Sequence, residues 1–567
     1  MIRNSRRRWA RTCAAGIALS ISACATASQV APRPSGPLTR AERTNYLETS
    51  TYADVLAFLD SLKGRPELAF GSIGKTNEGR DIPYVIASRP RVETPEDAAK
   101  LNRRIIYIQG NIHAGEVEGK ESLLGLLRDL TSAPAPNVLD SVVLIAVPIY
   151  NADGNEKFAR QEVNRGSQNG PEMVGVRTNA QGLDLNRDYM KVEAPETRAS
   201  LAMLNKWNPD VFVDLHTTNG SYHGYALTYA HPLNPASPMG AYTRDSIMPV
   251  LRERMQSRHG FATFDYGDFI SADTLSKGWV TFDSRPRFGT NYFGLRGKIA
   301  ILSEAYSHDP FETRVKSTTA FVKEILSLAA ANSWQWNAWS LLPMHSPGKG
   351  RAYVFSEHGS HPAQESSLRL HLRVPIRSRM VPAPDSAGVI AEIMEHTADS
   401  TRNEPGVPKG RRRTGKYITV KMPLFVRFEP TLFAAMPERY VLRATDTAAV
   451  RVLRDHGIEV RVVPDSLIPT AGDIAGYSFR IDSTIVAQRT FQGHREMRVE
   501  GAWQRQTRTI PTGSFIVDTA QPLALLAVYL LEPQSDDGLV TWNFFDADLK
   551  PGATYPVFKV GGPPPSQ

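Results

Sequence analysis

Four short, continuously apolar runs constrain the fold of this 567-residue chain more than any other feature of its sequence. The runs lie at residues 105–108, 142–148, 211–213 and 299–302. Helical spacing of apolar residues lies before, between and after them, at residues 41–62, 117–130, 194–206 and 314–331. Short strands that are apolar throughout are buried on both faces, which is typical of parallel strands in α/β folds. The pattern predicts an α/β domain with a mixed, mainly parallel sheet flanked by helices.

The pattern changes beyond Trp334. Short alternating runs broken by proline and glycine continue to the end of the sequence, with one helix expected at residues 445–456. A single hydrophobic core rarely grows past about 250–300 residues, so two domains are expected. We place the boundary near residues 335–345, with the α/β domain at residues 41–335 and a β-rich accessory domain at residues 340–567.

The first 24 residues are typical of an export signal. Five arginines between Arg3 and Arg11 precede an apolar stretch at residues 13–23, which is too short to span a bilayer. Residues 21–24 resemble the lipobox of bacterial lipoproteins, and simple cleavage near residues 25–27 is the alternative. We therefore predict a signal peptide of the lipoprotein type at residues 1–24 and a flexible tether at residues 25–40. The expected location is the periplasm or the outer membrane, with membrane attachment through a lipidated Cys24, or secretion without lipidation.

The net charge excludes one class of partner. The formal charge is +8, but a chain beginning at Cys24 has 61 basic and 58 acidic residues and a formal charge of +3. We therefore expect no nucleic-acid partner. The sequence contains two cysteines, Cys13 and Cys24, so a chain that begins at Cys24 has no internal disulfide.

Residues able to bind a metal follow three of the four apolar runs. His113 and Glu116 follow the first run, His216 follows the third, and Glu304 follows the fourth. The carboxyl ends of parallel strands meet at one edge of a sheet, so we expect these side chains to lie close together. Imidazole and carboxylate groups are ligands that Zn²⁺ prefers. Each residue alone is also compatible with an ordinary loop histidine or ion-paired carboxylate, but their joint placement favours a metal site.

Seven motifs in order along the chain resemble those of the zinc carboxypeptidase family M14. The resemblance covers roughly residues 45–335. The motifs are a hairpin at residues 71–80, H-x-x-E at residues 113–116, N-x-D-G at residues 151–154, Arg177, G-L-D-L-N-R at residues 182–187, His216 and Glu304. The resemblance implies a zinc carboxypeptidase fold and hydrolysis of C-terminal amide bonds of peptides.

The same resemblance implies the composition of the metal site. One Zn²⁺ per chain would be bound by His113, Glu116 and His216, and Asp184 would orient His113 from behind. Glu304 would act as the general base toward a metal-activated water.

The remaining matched residues would bind the substrate. Arg177 would stabilise the oxyanion. Asn186 and Arg187 would bind the free C-terminal carboxylate of a peptide or peptide-like substrate, because a guanidinium matches a carboxylate bidentately. Tyr292 is the candidate for a tyrosine that closes over the substrate, with a packed aromatic residue as the alternative.

Other interpretations are compatible with the sequence. Arg285 and Arg287 are interpreted as solvated loop charges, with a second anion contact as the alternative. The chain could instead be a metal-dependent amidase or deacylase acting on cell-wall peptides or acylated amino acids. A catalytically inactive envelope binding module ranks below both enzymes, because such a module is expected to lack Glu304 or a metal ligand. The sequence assigns no role to the accessory domain.

Overall fold

The computed structural model of the chain describes residues 35–272, 274–331, 373–398, 410–463 and 474–562. The predicted signal peptide, Cys24, most of the predicted tether and the predicted boundary at residues 335–345 lie outside these ranges. Within them, no helix combines the length and the apolar composition that crossing a bilayer requires.

Eight strands of the first region form one mixed sheet. They are β1 (Leu68–Lys75), β2 (Asp81–Ala87), β3 (Arg104–Gly110), β4 (Val142–Val147), β5 (Val211–Thr217), β6 (Leu227–Ala230), β7 (Thr263–Asp265) and β8 (Ile299–Ala305). Their order across the sheet is β1-β2-β4-β3-β5-β8-β6-β7. The central strands β4, β3, β5 and β8 run parallel to one another. The four predicted apolar runs fall on these strands, and the mixed, mainly parallel sheet is confirmed.

The longer helices pack on the two faces of this sheet, and some of them belong to the C-terminal region. They are α1 (Tyr52–Ser61), α2 (Pro95–Leu101), α3 (Glu118–Ser132), α4 (Pro195–Trp207), α5 (Met248–His259), α6 (Gly289–Leu295), α7 (Phe311–Ala330), α8 (Thr447–Asp455) and α9 (Ala524–Leu531). Shorter α-helical turns occur at Arg40–Arg43, Ala152–Glu156, Gln161–Asn164 and Gly240–Tyr242.

The prediction of one continuous helix over residues 41–62 is wrong, because two separate helices lie there. Thr39 begins a first turn and Thr51 begins α1, each through a capping box that satisfies backbone donors at a helix start. Between these helices, Asn45 and Tyr46 have positive φ angles, which a continuous right-handed helix does not allow.

The C-terminal region is rich in strands, as predicted. Its strands include β9 (Arg373–Val381), β10 (Ala387–His396), β11 (Arg411–Met422), β12 (Arg427–Ala435), β13 (Arg439–Leu442), β14 (Arg461–Val462), β15 (Ile474–Val486), β16 (Met497–Arg508), β17 (Phe515–Asp518) and β18 (Phe558–Val560). Strands β14-β17-β13-β18-β15-β16 form an antiparallel sheet. Strand β9 pairs with β12, and β10 pairs with β11.

Alternate side chains of β4 enter two cores, one on each face of the large sheet. Val142 and Leu144 pack in the core that contains residues of α1, α3, α5 and α7. Val143 and Ile145 pack in the core that contains residues of α4, α6, α8 and α9. The C-terminal region therefore covers one face of the sheet through a shared apolar core.

Candidate metal centre

The carboxyl ends of three neighbouring strands position the candidate ligands. Strand β3 ends at Gly110, and the turn that follows it carries His113 and Glu116 toward α3. His216 lies near the end of β5, and Glu304 lies at the matching position of β8, since the two residues are register partners. Paired residues of parallel strands point to the same face, so Glu304 faces the same space as His216.

Three ligand atoms converge at this edge of the sheet. His113 Nδ1 lies 3.1 Å from Glu116 Oε1 and 3.1 Å from His216 Nδ1. His216 Nδ1 lies 2.9 Å from Glu116 Oε2. All three side chains are buried, and among the described residues they form the one group of this kind able to hold a metal ion. Ligand atoms about 2.1 Å from a tetrahedral Zn²⁺ are about 3.4 Å apart, so this donor set fits the ion.

Carboxylates behind the two imidazoles fix their orientation. His113 Nε2 lies 3.0 Å from Asp184 Oδ1, and His216 Nε2 lies 3.0 Å from Asp214 Oδ2. A carboxylate accepts hydrogen bonds, so Nε2 of His113 carries a proton and its Nδ1 is directed at the shared centre, while the Asp214 carboxylate lies in the same place behind His216. Sequence reasoning missed Asp214, although its place two residues before His216 on one strand puts both side chains on the same face.

The electrostatics of the site favour a cation at this centre. Burial opposes the charged form of His216, but the carboxylates of Asp214 and Glu116 outweigh it and raise the pKa of His216 well above its usual value. Burial also opposes ionisation of Glu116, yet His113 and Arg165 hold the pKa of Glu116 well below its usual value. Without a metal the site therefore holds a proton among the converging atoms, and a divalent cation can replace that proton.

Glu304 borders the same space. Burial raises the pKa of Glu304 to about 8, Glu116 adds to the rise, and His216 opposes it. Within the described part of the chain, Glu304 Oε2 is buried and has no hydrogen-bond partner. A buried carboxylate with a raised pKa and an unpaired oxygen is suited to exchange a proton with a bound molecule.

Two arginines approach the ligands from one side. Arg177 Nε donates to Asp184 Oδ2 at 2.9 Å, and its NH1 donates to Glu116 Oε1 at 3.3 Å. Arg165, which sequence reasoning missed, donates to Glu116 Oε1 at 3.0 Å. A Cβ at Gly115 would lie 2.6 Å from Arg165 Cγ, so the glycine between the two ligands admits this arginine. No sequence pattern around Arg165 indicates this contact.

Asn186 and Arg187 also border this space. Asn186 Oδ1 accepts a hydrogen bond from the backbone N–H of Gly289 at 2.8 Å. The guanidinium of Arg187 lies 4.0 Å from the ring centroid of Phe288, and its NH1 donates to Asn186 O at 2.7 Å. These contacts hold the amide and the guanidinium together at the cleft.

A cleft joins these groups, and the space in it is about 570 Å³ when its part open to solvent is included. It is lined by His113, Glu116, Arg177, Asn186, Arg187, His216, Thr217, Asn219, Tyr266, Phe282, Phe288, Thr290, Leu302 and Glu304. The cleft thus brings together a metal centre, an unpaired carboxylate and two guanidinium groups, with aromatic rings beside them.

Two of the nine predicted site residues do not line this cleft. Asp184 lies behind His113, with its Oδ1 3.0 Å from His113 Nε2. Tyr292, in contrast, is fully buried in α6, and its hydroxyl pairs with His456 Nδ1 at 2.8 Å. The cleft is lined instead by Tyr266, whose hydroxyl accepts a hydrogen bond from Asn219 Nδ2 at 3.1 Å.

The interpretation of Arg287 as a solvated charge is wrong. Arg287 is buried, and its Nε donates to Asp537 Oδ1 at 2.9 Å. Arg285 is partly exposed and pairs with Asp283. Because Asp537 lies 250 residues further along the chain, local sequence carries no signal for this ion pair.

Comparison with known proteins finds similarity to carboxypeptidases. Residues 55–246 match the model of the family described as zinc carboxypeptidase, Peptidase M14. Carboxypeptidase 2 of Trichophyton tonsurans is 23% identical over 506 residues, which cover 86% of this chain and 81% of that protein. Carboxypeptidase D of Mus musculus is 26% identical over 217 residues, which cover 33% of this chain and 15% of that protein. A metallo-carboxypeptidase structure from Burkholderia cenocepacia is 17% identical, with a TM-score of 0.37, and the match covers 50% of this chain and 70% of that one.

Proposed function

We propose that this chain is a metallocarboxypeptidase of the zinc carboxypeptidase family M14 and that it hydrolyses the C-terminal amide bond of peptides that end in a free carboxylate. The observation that carries the proposal is the convergence of His113 Nδ1, His216 Nδ1 and Glu116 in one cleft with Glu304. The reaction would release the C-terminal residue and leave a peptide one residue shorter.

One zinc ion per chain would be held by His113, Glu116 and His216. When bound, zinc supplies a Lewis acid that polarises a carbonyl and makes a water molecule a stronger acid. The buried carboxylates of Asp184 and Asp214 hold the two imidazoles in the tautomer that zinc requires.

Glu304 would transfer the proton. Its unpaired Oε2 would accept a proton from the attacking water and then deliver it to the nitrogen of the leaving amine. Bound zinc would favour the ionised form of Glu304, which is the form able to accept a proton from water. Arg177 is permanently charged and would stabilise the negative charge that develops on the carbonyl oxygen.

Arg187 and Asn186 would bind the terminal carboxylate. The ring of Phe288 supports the flat guanidinium of Arg187, and the backbone N–H of Gly289 fixes the orientation of the Asn186 amide. A planar guanidinium bonds both oxygens of a carboxylate, so these residues would select peptides with a free C-terminus.

A chelation experiment tests this function. The protein is incubated with a peptide that has a free C-terminus, and shortened products are followed by mass spectrometry. We expect trimming that stops after zinc is removed and returns when one equivalent of zinc per chain is added. Trimming that survives removal of the metal would contradict the proposal.

We also propose, from the sequence alone, that the protein is exported and attached to a membrane through a lipidated Cys24. The mass of the N-terminal peptide of the protein from its native host tests this. A peptide that begins at an acylated Cys24 supports the proposal, and an unprocessed N-terminus contradicts export.

A further inference from the structure

The C-terminal region reaches the metal centre through the turn between β15 and β16. Phe491 and His494 exchange two backbone hydrogen bonds, with N···O distances of 2.7 and 2.9 Å. Between them, Gln492 has a φ angle of +50° and Gly493 has a φ angle of +82°. Two positive φ angles at the centre of a two-residue loop define a type I′ turn.

Glutamine is an unfavourable residue at the first central position of this turn. Type I′ turns favour asparagine, aspartate or glycine there, because a longer side chain is strained at positive φ. The conformation of the turn therefore does not account for a glutamine at position 492. A residue held in a strained conformation is a reason to examine what its side chain contacts.

The side chain of Gln492 contacts the group that orients the metal ligand. Gln492 Oε1 accepts a hydrogen bond from the backbone N–H of Asp184 at 2.8 Å. The Asp184 carboxylate in turn accepts from His113 Nε2 at 3.0 Å and from Arg177 Nε at 2.9 Å. One turn of the C-terminal region is thus connected through Asp184 to both a metal ligand and a cleft arginine.

A second contact holds the same turn against the same loop. His494 Nε2 lies 2.8 Å from Glu193 Oε1, and His494 Nδ1 lies 2.9 Å from Asn543 Oδ1. Glu193 belongs to the segment that follows Asp184, so the turn is fixed at two points along this segment. The turn that carries Gln492 is therefore held by a second contact besides the hydrogen bond to Asp184.

We propose that Gln492 is a positioning residue of the metal centre, which fixes the Asp184 peptide group and through it His113 and Arg177. This role rests on the proposed function, because it serves the zinc site used in hydrolysis. It assigns a task to the C-terminal region: the catalytic cleft is complete only when the β15–β16 turn is docked.

Two matched variants and a rescue variant test this role. Gln492→Met removes the acceptor oxygen but keeps the size of the side chain, and Gln492→Glu keeps an acceptor. Gln521→Met is the control, because Gln521 Oε1 also accepts from a backbone N–H, that of Glu459, at 2.8 Å. Zinc affinity is measured by competition with a chelator, and kcat/KM is measured on a peptide.

We expect Gln492→Met to weaken zinc binding and lower kcat/KM by about threefold to tenfold, less than the 10–100-fold typical of direct partners of a ligand. Gln492→Glu and Gln521→Met should stay within about twofold of the wild type. Equal zinc affinity of Gln492→Met and the wild type would overturn the proposal.

The variant Gln492→Gly distinguishes a positioning role of Gln492 from a contribution to folding stability. Glycine relieves the positive φ angle, so the Tm of the zinc-free protein should stay unchanged or rise while zinc affinity falls. A lower Tm with unchanged zinc affinity would show a purely structural role and overturn the proposal. Zinc affinity is measured without peptide, so a failed peptide assay would contradict the proposed function and leave this result intact.

Discussion

Glu304 and His216 are direct register partners on the adjacent parallel strands β8 and β5. The hydrogen bonds of the sheet therefore fix the separation between the proposed proton carrier and a candidate metal ligand. Sites built on strands are held more precisely than sites built on loops. The same pairing places Leu302, which lines the cleft, beside Asp214, which holds the His216 ring.

The substitution Asp214→Asn tests whether the Asp214 carboxylate holds the His216 ring in place. The neutral amide is a weaker acceptor for the Nε2 proton, so we expect zinc affinity to fall by about 10–100-fold. Asp210→Asn is the control, because Asp210 caps the opposite end of β5 by accepting from the backbone N–H of Ile105. Zinc affinity measured by chelator competition should separate the two variants, and equal affinities would show that Asp214 plays no part.

Arg187→Lys tests recognition of the terminal carboxylate. Lysine keeps the charge but loses the planar pair of donors, so kcat/KM for a peptide with a free C-terminus should fall by about 10–100-fold, mostly through KM. Arg160→Lys, at an exposed arginine paired with Glu162, is the matched control. Steady-state kinetics in which both variants match the wild type would exclude Arg187 from substrate binding.

Zinc binding should strengthen as pH rises. In the zinc-free protein, the pKa of His216 lies well above its usual value and that of Glu304 is raised to about 8, so both groups hold protons at pH 6. Zinc requires neutral His216 and favours ionised Glu304, so its binding releases protons. We expect affinity to rise about tenfold or more from pH 6 to pH 8, measured by calorimetry in two buffers. A flat profile would contradict the electrostatics of the site.

Arg287→Met tests the junction between the two regions. The substitution leaves Asp537 buried without its positive partner, which costs about 3–5 kcal/mol in the free energy of unfolding. Urea denaturation followed by tryptophan fluorescence measures this loss, since Trp542 lies against Arg287. A stability equal to that of the wild type would show that the pair does not hold the regions together.

The sequence predicts the centre of the sheet better than its edges. Strand β4 is buried along its whole length, so its apolar run is unmistakable. Strand β1 is half-exposed beyond its first two residues, and β6 and β7 are only a few residues long. Their positions depend on partners elsewhere in the chain rather than on a local pattern.

The sequence also predicts the convergence of the candidate metal ligands better than it predicts their surroundings. Predicted strands lead to His113, Glu116 and His216. Because these strands run parallel, their carboxyl ends bring the three side chains to one edge of the sheet. Every residue of α6 is buried, and nothing in its composition distinguishes Tyr292 from a residue facing the cleft. Gln492 reaches Asp184 across 308 residues, which no local spacing can indicate.

The most direct test of the account compares two pools of peptides, identical in sequence, with free or amidated C-termini. The zinc-loaded protein and a zinc-loaded Glu304→Gln variant are incubated with each pool, and products are identified by mass spectrometry. We expect loss of single C-terminal residues from free peptides alone, slowed by about 10²–10⁴-fold in the variant. Equal trimming of amidated peptides, internal cleavage, or full activity of the variant would contradict the account.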